Sequence, residues 1–300
     1  TLEQLRKLTL LTYADISAVN PDALTPWRKD LLWQLYVATH NQLAHEMEAD
    51  RIGGGEVPVA EQLGSTDAER QAILRFLDGI PTRYLRTHTA AQILDHFRLE
   101  ETYRAKSVAV RLARRDSLYE LVVLASDRPF LFASIAGTLS SFAMNILKAE
   151  AFANRSGMIL DTFLFEDPSR TLELNPTEAD RLRATLERVL LGKIDVRQLL
   201  QKRPAAARRA AAASQISFDN HTSLHDTIFH VITQDRPGLL YDLASTFSFN
   251  QCDIDVVLID TEGYKAIDVF YVSAGGQKLD GEKALQVSTE LERAASGSTE

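Results

Sequence analysis

The sequence predicts an α+β fold, in which a helical N-terminal segment precedes two copies of one β-α-β-β-α unit. An internal repeat is the main reason: residues 121–132 and 229–240, which lie 108 positions apart, both run from an apolar stretch through Asp-Arg-Pro into a helical pattern. The match continues at the same offset, where Asn145-Ile146 falls opposite Asp253-Ile254. By contrast, the first hundred residues place apolar side chains at helical spacing without period-two alternation.

Each repeat unit contains the elements of a small α+β domain. In the first unit we expect a strand, a helix, a hairpin, a long helix and a closing strand, over residues 119–125, 131–142, 145–165, 177–202 and 215–218. In the second unit we expect the first four of these again, over residues 227–233, 238–249, 254–272 and 278–294. With its closing strand, such a unit has the split β-α-β, ferredoxin-like order βαββαβ, whose helices cover one face of an antiparallel sheet.

The chain before the repeat is predicted to be helical. Leucines at positions 2, 5, 8 and 11 share one helical face, and Thr25-Pro26 has the pattern of a second helix start. Two more helices are expected over residues 66–77 and 89–99. The predicted domains are a helical segment, a helical connector and two repeat units, over residues 1–51, 52–117, 118–220 and 221–300.

The bulk composition excludes several classes of protein. A net charge of −8 over 300 residues gives no electrostatic match to nucleic acid or anionic lipid, so we expect neither a nucleic-acid nor a membrane partner. No apolar stretch approaches the length of a membrane span. Cys252 is the single cysteine, which fits a reducing compartment such as the cytoplasm. Because the first residue is Thr1 rather than Met, we expect the chain to be either part of a longer protein or a processed chain.

The two Asp-Arg-Pro turns are candidate anion sites. Where a strand leads into a helix, the first N–H groups of the helix and the positive end of its dipole favour an anion such as an amino-acid carboxylate. Asp127 and Asp235 can accept hydrogen bonds from helix N–H groups or from a ligand ammonium. Gly238 would let a ligand approach closely, whereas Phe130 occupies the matching place, so the two turns are predicted to differ. The alternative is that each turn is only a helix cap.

Together with Asn145-Ile146, these turns resemble the ACT domains, a family of small regulatory modules that commonly bind amino acids. The resemblance lies in Asp235-Arg-Pro-Gly-Leu-Leu240 and in Asp127-Arg-Pro-Phe-Leu131. In that family two modules usually pair side by side, and ligands sit where the first helix turn of one module meets the second strand of its neighbour. The ligand-binding residues that the resemblance implies are Asp127, Arg128, Pro129, Phe130, Leu131, Asn145, Ile146, Asp235, Arg236, Pro237, Gly238, Leu239, Leu240, Asp253 and Ile254.

Residues upstream of the repeat resemble one particular type of enzyme that contains ACT domains. Residues 8–20 and 27–36 are similar to the end of the HD hydrolase domain in bifunctional uridylyltransferase/uridylyl-removing enzymes, and residues 76–96 are similar to the connector before their tandem ACT modules. This resemblance implies L-glutamine as the ligand. It also implies a parent enzyme that adds UMP to a PII-type signalling protein when glutamine is scarce and removes it when glutamine is plentiful. Asp15 matches the last metal-binding aspartate of the HD domain, so Mg²⁺ or Mn²⁺ is implied for the parent.

Several expectations and alternatives follow from these residues. One carboxylate cannot hold a catalytic metal alone, so we expect no cofactor and no activity in this chain. Phe130 and Asp253 depart from the Gly and Asn of the family pattern. We expect glutamine at Asn145, whereas an acid at position 253 could either repel a ligand carboxylate or bind its ammonium. The alternatives are that residues 1–51 complete a hydrolase, that the modules only dimerise the parent, or that they sense another amino acid for another HD/nucleotidyltransferase enzyme. Pairing of the modules within one chain and pairing in a homodimer are both open.

Overall fold

A computed structural model describes residues 2–19, 66–115, 117–201, 214–262 and 265–296, together with isolated positions between 32 and 63. The chain divides into two compact units, Thr1–Val57 and Pro58–Glu300. The first unit contains helix α1 (Leu2–Val19), as the leucine spacing predicts. The helix predicted to start at Thr25-Pro26 lies outside the described residues. Among the helices that the structure describes, none has the length and apolar character needed to cross a membrane.

Helices α2 (Asp67–Leu77), α3 (Thr82–Thr87) and α4 (Ala90–Lys106) come first among the described elements of the second unit. The Thr66 hydroxyl accepts the Glu69 N–H at 3.2 Å, and Thr89 forms a capping box with Gln92, so α2 and α4 start where the sequence predicts. Buried apolar side chains join these helices to one face of a β-sheet: Ile73, Phe76, Tyr84, Ile93, Leu124, Phe152 and Leu160.

The second unit is built on one antiparallel sheet. Its described strands are β1 (Val108–Arg115), β2 (Leu118–Ser126), β3 (Asn145–Ala153), β4 (Met158–Glu166), β5 (Gln215–Asp219), β6 (Thr227–Gln234), β7 (Asp253–Glu262) and β8 (Lys265–Ser273). Their order across the sheet is β1-β2-β4-β3-β7-β8-β6-β5, so each repeat unit supplies one half. The predicted α+β fold, with a helical segment before two ferredoxin-like modules, is therefore confirmed.

The remaining described helices complete the two modules. They are α5 (Leu131–Ser141), α6 (Thr171–Leu174), α7 (Pro176–Leu190), α8 (Val196–Gln201), α9 (Leu239–Phe249) and α10 (Gly281–Ala295). Buried side chains of α5, α7, α9 and α10 form one hydrophobic core with the sheet. The single long helix predicted over residues 177–202 is wrong, because the chain turns at Gly192 (φ 70°), where the Lys193 N–H donates to the Arg188 carbonyl at 2.8 Å.

The predicted closing strand of the first module is also wrong. Strand β5 pairs with β6 of the second module, while β1 takes the edge beside β2. Residues 108–115 are thus a strand, although they fall within the predicted helical connector of residues 52–117, and each module has the order ββαββα instead of βαββαβ. The reason is local: β1 ends at Arg115 and β2 begins at Leu118, so their hairpin closes a very short loop.

The two modules pair within the chain through β3 and β7. Ala149 lies opposite Val257, its own counterpart in the repeat, so a pseudo-twofold axis passes through this pair. This symmetry creates two equivalent places, each of which combines the first turn of a helix from one module with the start of a strand from the other.

Candidate functional site

One of the two equivalent places is a cleft of about 430 Å³ between the start of β3 and the first turn of α9. Its volume falls within the roughly 300–1,000 Å³ typical of small-molecule sites. The first module contributes Ala136, Ser140, Ala143, Met144, Asn145 and Ile146. The second module contributes Asp235, Arg236, Pro237, Gly238, Leu239, Leu240, Ile259, Ala266 and Asp268. We refer to this place as the open cleft.

The second Asp-Arg-Pro turn forms one wall of the open cleft. Gly238 precedes α9 with a φ of 83°, a left-handed conformation that glycine adopts without steric cost. The Arg236 guanidinium donates to the Ala294 carbonyl at 2.8 Å and pairs with Asp242 at 2.6 Å, which ties the turn to α9 and α10. The Leu239 N–H already donates to the Arg236 carbonyl at 3.1 Å, so this wall presents the N–H groups that follow it in the first turn of α9, together with the positive end of a helix dipole.

The opposite wall brings polar side chains from the first module. The Asn145 amide donates to Glu166 at 3.1 Å, which orients its side chain at the start of β3. The Ser140 hydroxyl accepts the Gly238 N–H at 2.9 Å and so links the two modules directly. Sequence reasoning selects Asn145 but misses Ser140, whose only signal is its place near the end of α5, five residues before Asn145.

Two carboxyl groups give the open cleft acidic character. Asp268 on β8 lines the cleft and is 2% exposed. Partial removal of the Asp235 carboxyl from water raises its pKa, an effect that the neighbouring Arg236 backbone and guanidinium oppose. The cleft therefore combines acceptors suited to an ammonium group with the backbone donors of α9, which suit a carboxylate. Sequence reasoning missed Asp268 as a site residue, although an Asp within an apolar strand, repeated at Asp161, is the signal that could have found it.

The second equivalent place contains the first Asp-Arg-Pro turn together with the start of β7, and a ring contact between the two modules crosses it. Phe130 takes the position of Gly238 and has the same left-handed backbone, with a φ of 64°. That conformation costs a residue with a side chain about 1–2 kcal/mol. The Phe130 ring packs edge-to-face on Phe249 of the other module, with 4.7 Å between ring centroids. We refer to this place as the filled crevice.

The filled crevice also gathers three carboxyl groups: Asp127, Asp161 and Asp253. Asp161 is 2% exposed, and its Oδ1 has no hydrogen-bond partner in the part of the chain that the structure describes. Burial raises the pKa of Asp161 well above its ordinary value, and the charge of Asp127 raises it further. Desolvation and the charge of Asp127 likewise raise the pKa of Asp253. Ionisation of Asp161 and of Asp253 is therefore opposed by burial and by the charge of Asp127.

The structure thus regroups the residues that the resemblance implies. Asn145 and Ile146 lie with residues 235–240 in the open cleft, so the Asn of the first module and the Gly of the second share one site. Residues 127–131 belong with Asp253 and Ile254 on the side of the filled crevice. Asp15 is on α1 in the first compact unit, and its side chain is exposed. Among the described residues there is no group of three or more His, Cys, Asp or Glu that could hold a metal ion.

Comparison with known proteins gives a consistent set of relatives. The bifunctional uridylyltransferase/uridylyl-removing enzyme of Gluconobacter oxydans is 32% identical over 288 residues, which cover 90% of this chain and 30% of that enzyme. The enzyme of the same name from Azospirillum brasilense is 32% identical over 287 residues, with the same shares of the two chains. The chain matches one part of bifunctional uridylyltransferase/uridylyl-removing enzymes. It spans about 30% of the length of these curated relatives, as the resemblance of its motifs predicts for a region of a longer enzyme.

Other comparisons add little. No family model matches the chain. Among solved structures, aspartate kinase from Synechocystis has a TM-score of 0.33 and 16% identity, covering 58% of this chain and 26% of that one. An unknown protein from Galdieria sulphuraria has a TM-score of 0.20 and 12% identity, covering 59% and 91% respectively. Structural likenesses this low carry no argument about function.

Proposed function

We propose that this chain is the glutamine-sensing regulatory region of a bifunctional uridylyltransferase/uridylyl-removing enzyme. The observation that carries the proposal is the open cleft, in which helix N–H donors, two carboxyl groups and the Asn145 amide converge from two modules. The similarity of the chain to one part of enzymes with that name supplies the parent activity.

L-Glutamine matches the chemistry of the cleft group by group. Its carboxylate suits the backbone donors and helix dipole at the start of α9. Its ammonium suits the carboxyl groups of Asp235 and Asp268. Its side-chain amide is both a donor and an acceptor, which matches the Asn145 amide on the opposite wall. A zwitterionic amino acid therefore has complementary partners on both modules.

Regulation follows from the position of the cleft between the modules. A ligand that contacts both walls stabilises the packing in which the walls are correctly spaced, and it shifts the equilibrium by no more than its difference in affinity for the two states. In the whole enzyme, this shift would favour removal of UMP from a PII-type signalling protein when glutamine is plentiful. It would favour addition of UMP when glutamine is scarce.

Catalysis would reside elsewhere in the parent enzyme. Asp15 is a single carboxylate on α1, and a catalytic Mg²⁺ or Mn²⁺ needs more ligands than one side chain supplies. We therefore expect phosphodiesterase activity of the isolated chain to stay at background when Mn²⁺ is added. Activity that depends on Asp15 would instead favour the alternative that residues 1–51 complete a hydrolase.

Titration calorimetry of the chain with L-glutamine tests the proposed function. We expect saturable binding, which Asn145→Ala weakens by about 5-fold or more, because a hydrogen bond to a ligand group in a cleft contributes on the order of 1 kcal/mol or more. L-Glutamate and L-asparagine serve as matched ligands that change the side-chain charge or length alone. Absence of heat at millimolar L-glutamine would count against the proposal, and binding of another amino acid in its place would redirect it.

A further inference from the structure

The open cleft and the filled crevice are the two copies of one site under the pseudo-twofold axis. Gly238 and Phe130 hold the same position before a helix, and both are left-handed, with φ of 83° and 64°. A Cβ atom built on Gly238 would meet nothing closer than the Leu200 side chain, at 3.7 Å. Because the two backbones agree, the difference between the two places arises from the side chain at this position.

The filled crevice is closed by contacts from both modules. The Phe130 ring lies against Phe249 at the end of α9, whereas the counterpart of Phe249 beside the open cleft is the small Ser141. A bulky residue with positive φ is uncommon and persists only where its surroundings hold it in place. Here the ring contact across the module boundary acts together with the Ser134 N–H and hydroxyl, which donate to the Phe130 carbonyl at 2.9 and 2.7 Å.

The two places also differ in their carboxyl groups. Asp253 occupies the strand start that Asn145 occupies in the open cleft. With Asp127 and Asp161, it gives the filled crevice three carboxyl groups, whereas Asp235 and Asp268 give the open cleft two. The strand start of the filled crevice therefore offers a ligand an acid in place of the amide that Asn145 offers in the open cleft.

We propose that Phe130 is a built-in occupant of the filled crevice, so that the chain carries one amino-acid site although its repeat provides two equivalent places. This inference rests on the proposed function of the open cleft. It assigns Phe130 and Asp253 as the residues that determine stoichiometry. It also implies that ligand binding changes the contacts between the modules on the side of the open cleft only.

Titration calorimetry, which gives the number of L-glutamine molecules bound per chain, tests the proposal. The four proteins to compare are the wild type, Asp253→Asn, Phe130→Gly and the double variant. The wild type is expected to bind one glutamine per chain. Asp253→Asn keeps the ring in place and Phe130→Gly keeps the third carboxylate, so each single variant should also bind one. The double variant, with Gly and Asn as in the open cleft, is expected to bind two. Two glutamines on the wild type, or one on a folded double variant, would overturn the inference.

A thiol probe separates this inference from the proposed function. Cys252 is the repeat counterpart of Met144, which lines the open cleft, and it is 5% exposed. Labelling of Cys252 by a thiol reagent should be slow in the wild type and clearly faster in Phe130→Gly. Phe218→Ala, which removes a ring from the edge strand β5, controls for general loosening. If the wild type binds no glutamine, the proposed function fails, and an unchanged labelling rate in Phe130→Gly then overturns the closure by Phe130 as well.

Discussion

The open cleft and the filled crevice come from the same repeat, yet they differ in what they can hold. Each has a left-handed residue before a helix and an Asp within the following hairpin, Asp268 in one and Asp161 in the other. They differ at the helix start, where Gly238 faces a cleft and Phe130 fills one, and at the strand start, where Asn145 corresponds to Asp253. The duplicated backbone therefore sets the location of a site, while two side chains determine whether a ligand can bind there.

The largest expected effect comes from making the open cleft resemble the filled crevice. In Gly238→Phe, the ring should occupy the space that the ligand needs, and Phe130 shows that this backbone position can hold a Phe. We expect glutamine affinity to fall by roughly 100-fold or more, which corresponds to about 3 kcal/mol. Calorimetry measures the loss. Gly157→Phe, at a φ of 75° in a hairpin turn with open space around it, places a similar ring and strain elsewhere and should leave binding intact.

The next effect tests charge rather than volume. Asn145→Asp gives the open cleft the third carboxyl group that the filled crevice has, and it removes an amide donor, so glutamine should bind about 10- to 100-fold more weakly. The matched variant Asp253→Asn changes the filled crevice alone and should leave affinity unchanged. Equal weakening in both variants would mean that the two places do not act separately.

A third prediction concerns the acid of the filled crevice and its effect on stability. The folded state raises the pKa of Asp161 above its ordinary value of 3.8, so the folded chain holds a proton that the unfolded chain releases. This contribution to stability is complete below pH 3.8 and is lost as the pH rises through the folded pKa. Asp161→Asn cannot ionise, so it should unfold with a free energy about 1–3 kcal/mol higher near neutral pH.

Chemical denaturation at several pH values measures this difference. The gap between wild type and Asp161→Asn should shrink toward pH 3.8. A variant that is less stable than the wild type at neutral pH would show that the Asp161 carboxylate is stabilised by interactions that outweigh its burial.

The smallest effect concerns the ring contact itself. Phe249→Ala removes the edge-to-face partner of Phe130, and such a pair contributes about 0.5–1.5 kcal/mol. Because Phe249 is 65% exposed, little burial is lost beyond the pair, and the melting temperature should fall only slightly. The control is Leu285→Ala on α10, where the side chain is 62% exposed, because it measures the effect of removing an exposed apolar side chain. No change at Phe249 would show that the ring of Phe130 is held by other neighbours.

Much of the fold follows from the repeat, because an internal match at one offset requires two copies of the same unit. The helices at Asp67–Leu77 and Ala90–Lys106 follow from Thr66 and Thr89, whose capping chemistry is local and therefore visible in sequence. Strand β1 was not predicted, since three arginines among its eight residues hide its alternation. The partner of β5 was not predicted either, because hydrogen bonding between strands depends on which edge is free in the folded sheet.

The sequence identifies most of the site residues, but it does not show which of them lie together in one cleft. The Asp-Arg-Pro turns and Asn145 carry local chemistry that can be read from the chain. That Asn145 shares a cleft with Gly238 follows from the pairing of β3 with β7, which no local pattern encodes. Ser140 and Asp268 were missed for the same reason, since each becomes a wall of the cleft only when the second module is in place.

A crystal structure of the chain with bound L-glutamine would show directly which of the two places takes the ligand. We expect one glutamine per chain, with its carboxylate at the first turn of α9 and its remaining groups against Asn145, Asp235 and Asp268, while the Phe130 ring stays on Phe249. Glutamine bound beside a displaced Phe130, or bound away from both places, would contradict this expectation.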